Sequence, residues 1–317
     1  MCYTSKRPGP PEARWATHGA LLLVQLAFAS QTVEAKVAMM PRAAGGEGID
    51  PAALAMVRML SGALVFQLVA HRRSAPRVPL GREVHARLFG LSLLGIALNQ
   101  ALFLFGLRWS TPFSVALLGA AIPIFTAALA VLLRKEPFAW ATAAGLSLAA
   151  AGVVFLAGGP TPGALSGSLD IGVLLVTLNS LSYAAYVVLS RELVLRIGAL
   201  RMMAWLFTYG ALVFAPYGLV PLSAEVTRIT PRGLAYLGYI VAVPTLLAYF
   251  LNAWALGRSR ATIVTVYIVL QPLIAAVLAR LQLGHAISPR AGVAGILIAL
   301  GLALVMRRSS LRAAQSS

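Results

Sequence analysis

The chain alternates long apolar runs with short polar breaks, and Gly, Pro and the charged residues collect in the breaks. Most runs reach about 17–25 residues, the length a helix needs to cross a hydrocarbon layer. The pattern predicts ten helices. Five span 18–40, 51–70, 86–106, 111–133 and 138–157, and five more span 169–190, 200–221, 234–256, 261–282 and 290–306. Between the two sets lies Gly158-Gly159-Pro160-Thr161-Pro162-Gly163, followed by Ser166-Gly167-Ser168. Gly, Pro and Ser in this density mark a connection rather than an element. The chain therefore divides into a tail (1–17), a first repeat (18–157), a linker (158–168), a second repeat (169–306) and a second tail (307–317).

The first run has a competing reading as a secretory leader. Lys6, Arg7 and Arg14 precede Ala20-Leu21-Leu22-Leu23-Val24, and Phe28-Ala29-Ser30 resembles a cleavage region. The run continues to Met40, however, and its loss would break the five-plus-five pattern. A retained helix is the better reading.

Shifting the first half by 149 residues lays helices four and five on helices nine and ten without a gap. Pro123 then meets Pro272, Ser110 meets Ser259 and Gly152 meets Gly301. Apolar matches are cheap in membrane helices, so the paired prolines carry most of the weight. A repeat with an odd number of helices enters the membrane from opposite sides in its two copies. Such inverted repeats recur among transporters, with the binding site near the midplane. The expected fold is all-α and integral to the membrane, with ten transmembrane helices as two inverted five-helix repeats.

Composition agrees with lipid as the solvent. Of 317 residues, 59% are apolar or aromatic and 11% are charged, against about 25% charged in soluble domains. Ten spans leave no room for an ATPase domain or a large ectodomain. The formal charge of +17 would suggest nucleic acid on a soluble protein. Here the basic residues cluster in the breaks, where they fix orientation against anionic lipid. With the N-terminus inside, eighteen Lys and Arg fall on inner segments and seven on outer ones, with Arg58 inside a helix. Both termini are expected in the cytoplasm. Cys2 is the only cysteine, so no disulfide forms within the chain.

No P-loop and no H-E-x-x-H motif occurs, which removes the usual marks of ATP hydrolysis and zinc proteolysis. The candidate chemistry is polar residues at membrane depth. Gln31 and Glu34 lie three apart on helix one, and Asn99 adjoins Gln100 on helix three. Asn179, Tyr183 and Tyr186 form a stripe on helix six. Thr245, Tyr249 and Asn252 repeat that spacing on helix eight, and Tyr267 and Gln271 lie four apart on helix nine. Residues three, four and seven apart share a helix face. A polar face in lipid turns toward a cavity or another helix. Glu34 is the only acid well inside a span, and a charge there costs about 2.5–3.5 kcal/mol on insertion scales. Arg58 enters helix two at a similar depth, roughly 10 Å from the same side. Two readings stay open: an ion pair locking helices one and two, or a charge that meets substrate or a proton. Pro123, Pro244 and Pro272 interrupt spans. Gly145, Ala149 and Gly152 on helix five, with Gly292, Gly295 and Gly301 on helix ten, allow close helix contact.

These residues resemble the EamA-type transporters of the drug/metabolite transporter superfamily over nearly the whole chain. The segment from Asn99-Gln100-Ala101-Leu102-Phe103 through Gly106-Leu107-Arg108-Trp109-Ser110-Thr111, then Ala116-Leu117-Leu118, Pro123 and Glu136, is similar to the family's helix three to four pattern. Lys36 and Arg58 match its recurrent basic pair. His285 stands where the second repeat would carry an acid. The resemblance implies a carrier in a bacterial inner membrane that commonly exports amino acids or other small metabolites. The expected partners are a small-molecule substrate and membrane lipid, with no nucleic acid, no ATP and no bound cofactor, in a monomer or homodimer. A membrane-embedded enzyme or assembly protein, or a passive channel, are the alternatives.

Overall fold

The computed structural model describes residues 11–72, 79–109, 115, 118–156, 171–274, 277–278 and 289–314. The midpoint linker, Cys2 and His285 lie outside the described residues. The described residues form helices joined by short turns and loops. It forms α1 (Pro11–Met39), α2 (Pro51–Arg72), α3 (Arg82–Trp109), α4 (Ile122–Leu132) and α5 (Trp140–Leu156). Then come α6 (Ile171–Ile197), α7 (Ala199–Val226), α8 (Pro231–Leu256), α9 (Ala261–Ile274) and α10 (Pro289–Ala314). Six of these, α1 to α3 and α6 to α8, are long and apolar enough to cross a membrane, and the rest include shorter apolar helices. Leu132, Trp140 and Val220 are 76%, 79% and 75% exposed, positions that suit lipid contact rather than water.

Several helices outrun their apolar runs. α3 begins at Arg82 and α6 continues through Arg191 and Arg196 to Ile197. Lys, Arg and Glu are good helix formers, so the helix continues past the level at which lipid demands apolar side chains. Apolar length thus marks the membrane-crossing part and not the helix end.

Four irregular turns interrupt the helices. α3 widens to a π turn at Leu93–Ala97, and α8 does so at Val241–Leu247. These turns lie 149 residues apart. α9 tightens to a 3₁₀ turn at Tyr267–Leu270 just before Pro272. Residues 120–121 make a turn just before Pro123, where the Ala121 N–H donates to the Leu118 carbonyl. The cause is clear at Pro272. Proline has no N–H for the carbonyl four residues back, so the Ile268 carbonyl takes the Gln271 N–H instead.

Two helix pairs form the frame. α5 crosses α10 backbone to backbone: a Cβ on Gly145 would meet the Gly301 carbonyl at 2.7 Å, and one on Gly152 the Ala294 carbonyl at 3.0 Å. The pair is antiparallel, and Gly145, Ala149, Gly152 and Gly301 serve this contact within the chain. α2 and α7 are antiparallel too, with Gly62 against the Phe207 ring and Gly218 against Met56. α3 packs on α6, and α1 on α8, around the centre.

Candidate functional site

The centre is organised by the π turn of α8. Pro244 cannot donate to the Ile240 carbonyl; in the π turn the Thr245 backbone N–H takes that carbonyl, and the Thr245 hydroxyl adds a second bond at 2.7 Å. Together the two donors stabilise the turn. The Thr245 oxygen then accepts the Arg58 Nε–H from α2 at 2.8 Å. The same guanidinium donates through NH2 to Gln31 Oε1 on α1 at 3.2 Å, and Tyr249 on α8 lies within its reach. Arg58 is 1% exposed. All of these partners are neutral, and Arg58 forms no ion pair among the described residues.

Beside this guanidinium lies a small cavity of about 80 Å³. Eight of the residues singled out from sequence line it: Gln31, Arg58, Asn99, Gln100, Asn179, Tyr183, Tyr249 and Gln271. Phe28, Phe103, Val115, Ile122 and Ile268 supply its apolar wall. No Asp, Glu or His is among the described lining residues.

The amides of this wall differ in what they hold. Asn99 and Asn179 each donate to the other's backbone carbonyl, at 3.4 and 2.8 Å, and so tie α3 to α6. Gln271 donates to Gln25 Oε1 at 2.8 Å. Gln31 accepts from Arg58. Gln100 is different. It is 1% exposed, and among the described residues neither Oε1 nor Nε2 has a hydrogen-bond partner. Buried polar groups are nearly always paired, so an unpaired one that lines a cavity is the group free to meet a ligand.

The remaining expected residues lie elsewhere. Glu34 is half-buried, lines no part of the cavity and makes no ion pair among the described residues. The anticipated Glu34–Arg58 pair is therefore not formed. The reason is helical phase: Ala35, one residue and about 100° further round, faces inward and is fully buried. Three-residue spacing from Gln31 left Glu34 at the edge of the inward face. Lys36 donates to the Leu107 and Arg108 carbonyls at 2.9 and 3.0 Å, satisfying the end of α3 as a basic side chain does. Asn252 stands behind the wall and donates to the Tyr183 hydroxyl at 2.9 Å. Tyr267 pairs with His18 Nδ1 at 2.6 Å. Glu136 accepts the Thr262 N–H and hydroxyl, two groups at the start of α9. Gln25 and Thr32 were missed, although Gln25, Phe28 and Thr32 share one helix face at spacings of three and seven.

The EamA-like transporter family model matches this chain twice, at residues 17–158 and 170–307. The chain belongs to the EamA-like transporter family. It is 27% identical to an uncharacterized transporter of Archaeoglobus fulgidus over 91% of this chain and 96% of the relative. Identity to the uncharacterized transporter YdfC of Bacillus subtilis is also 27%, over 76% and 77%. A WAT1-related protein of Arabidopsis thaliana is 25% identical over 90% and 80%. One crystal structure shares the fold, with a TM-score of 0.67 and 18% identity over 98% of this chain and 100% of that one. This EamA-like chain is thus a multi-pass membrane protein and a transporter. Both EamA-like domains contribute to the cavity, the first through α1 to α4 and the second through α6, α8 and α9.

Proposed function

We propose that this protein is a secondary carrier that exports small metabolites, amino acids among the expected cargo, through the central cavity. In this reading ten helices form two inverted five-helix repeats that rock about the cavity, in a bacterial inner membrane with both termini cytoplasmic. The observation that carries it is Gln100: a buried amide with free donor and acceptor, in a cavity that both EamA-like domains build.

The inverted repeat is supported by symmetry in the contacts. Under the 149-residue shift Gly145 becomes Ala294 and Gly301 becomes Gly152, so the two α5–α10 contacts exchange with one another. A two-fold axis in the membrane plane requires antiparallel α5 and α10, as observed. The paired π turns and the turns before Pro123 and Pro272 follow the same shift. The alternation of sides is supported too. Arg42 donates to the Arg228 carbonyl, Arg232 pairs with Glu47 at 3.6 Å, and Arg108 lies 4.0 Å from Asp50. These cations gather at one end, assigned as outer. Lys135 and Arg87 meet Glu192 at the other.

The test is flux. Purified protein in liposomes should give saturable, competed counterflow of its substrate, whereas a linear, uncompeted leak means a channel. Metabolites in the medium of overexpressing cells supply the candidates. A reporter active only in the cytoplasm should work in the 72–82 loop and fail at the midpoint linker; the opposite result refutes the orientation.

A further inference from the structure

Among the described residues the cavity wall carries one formal charge, and it is positive. Arg58 is buried against Thr245, Gln31 and Tyr249, with no Asp or Glu along the lining. Taking a guanidinium out of water without a counter-ion is unfavourable, and neutral hydrogen bonds offset only part of that. An anion entering the cavity supplies the missing charge. A cation would add to it. Two partners already fix the guanidinium plane, so little side-chain freedom is lost when a carboxylate arrives.

From this we infer that the substrate is a small organic monoanion, whose carboxylate lies against Arg58 while a second polar group engages the free amide of Gln100. One positive charge balances one negative charge. A zwitterion would bring an ammonium for which the wall has no carboxylate. The amide of Gln100 both donates and accepts, so it suits a hydroxyl or carbonyl on the carbon next to the carboxylate. The aromatic wall of Phe28 and Phe103 takes the apolar remainder. The inference rests on the cavity's being the transport site and narrows its cargo to monoanions, which leaves zwitterionic amino acids out.

Four solutes of one skeleton separate the possibilities: lactate (anion), lactamide (neutral), alanine (zwitterion) and 1-amino-2-propanol (cation). A second set carries a phenyl group on the same skeleton. Each is tested for raising the melting temperature of the purified full chain in detergent, and for counterflow in liposomes. The anion of at least one set should bind roughly tenfold or more tightly than its three analogues, as a charge-assisted hydrogen bond provides. Arg58→Gln should abolish that preference. If Arg58→Gln does not fold, Gln100→Leu serves: it should keep the order of the four solutes while weakening the anion about 3- to 10-fold. A cation, zwitterion or neutral solute that equals or beats the anion in both sets overturns the monoanion. So does the absence of any anion response. Flux of a cation or zwitterion leaves the carrier reading intact and removes this one. Anion binding without saturable flux does the reverse.

Discussion

The wide turns of α3 and α8 occupy matching places in the two EamA-like domains, yet they are satisfied from opposite directions. In α3 the turn at Leu93–Ala97 contains no proline. Its Leu94 carbonyl accepts the Ser182 hydroxyl from α6 at 2.7 Å, and Gly95 lets the Tyr186 ring lie where a side chain would start. In α8 the turn at Val241–Leu247 holds Pro244, and its own Thr245 fills the vacant bond. The first turn is a docking surface for a neighbouring helix. The second is a bracket that orients a cation. Five residues past Gly95, α3 presents Gln100 with no partner; five residues past Pro244, α8 presents Tyr249 beside Arg58. The same backbone irregularity thus carries a free group in the first domain, and in the second it braces a charge that α2 of the first domain supplies. A duplicated fold can keep its geometry while the side chains at equivalent places divide the work.

The bracket is the more sensitive of the two. Thr245→Val keeps the shape and removes the hydroxyl, leaving the Arg58 Nε–H unpaired and the Ile240 carbonyl with one donor fewer. The expected loss is about 3 kcal/mol, with flux down at least tenfold, whereas Thr245→Ser should restore both. Melting curves in detergent and liposome flux check this together. Equal behaviour of Val and Ser variants would show that the hydroxyl does not orient Arg58.

Next comes the docking surface. A Cβ on Gly95 would stand 2.4 Å from the Tyr186 ring, and the ring is itself buried. Gly95→Ala should cost about 2 kcal/mol through overpacking, and Gly95→Ala with Tyr186→Leu should recover much of it. An unchanged melting temperature in the single variant would mean that α3 and α6 are less closely fitted.

Gln100→Leu tests the free group and should move stability the other way. Burying an unpaired amide is unfavourable, so the apolar replacement is expected to stabilise by about 1 kcal/mol while flux falls. A destabilised variant would mean that Gln100 does have a partner in the empty protein.

The smallest effect is expected at Pro244→Ala. The new N–H can take the Ile240 carbonyl, and the change in stability should stay within about 1 kcal/mol, since the hydrogen bond lost is replaced by one gained. Flux should fall more than stability, because closing the π turn to an α turn rotates Thr245 out of line with Arg58.

The sequence by itself determined the solvent, the helices and the places where backbone bonds are lost. Twenty apolar residues in a row and a proline in a span are local facts, and lipid leaves a backbone few ways to respond to them. Membership in an EamA-like family was likewise legible, through residues such as Asn99-Gln100 and the paired prolines. Eight of thirteen residues chosen for polarity at depth line one cavity, since a polar face in lipid has to turn inward. Tertiary structure alone decided what each of them does. Asn99 and Asn179 are used up on each other, Gln271 on Gln25, and Asn252 on Tyr183, because a neighbour happens to stand at the right height. Glu34 misses the cavity by about 100° of helical turn, an angle set by how α1 leans on α8 and invisible in spacing. Lys36 meets the end of α3, seventy residues away in sequence. Charge type and depth are written in the chain one residue at a time. Whether a buried polar group is satisfied depends on two or three groups from other helices, and only packing brings those together.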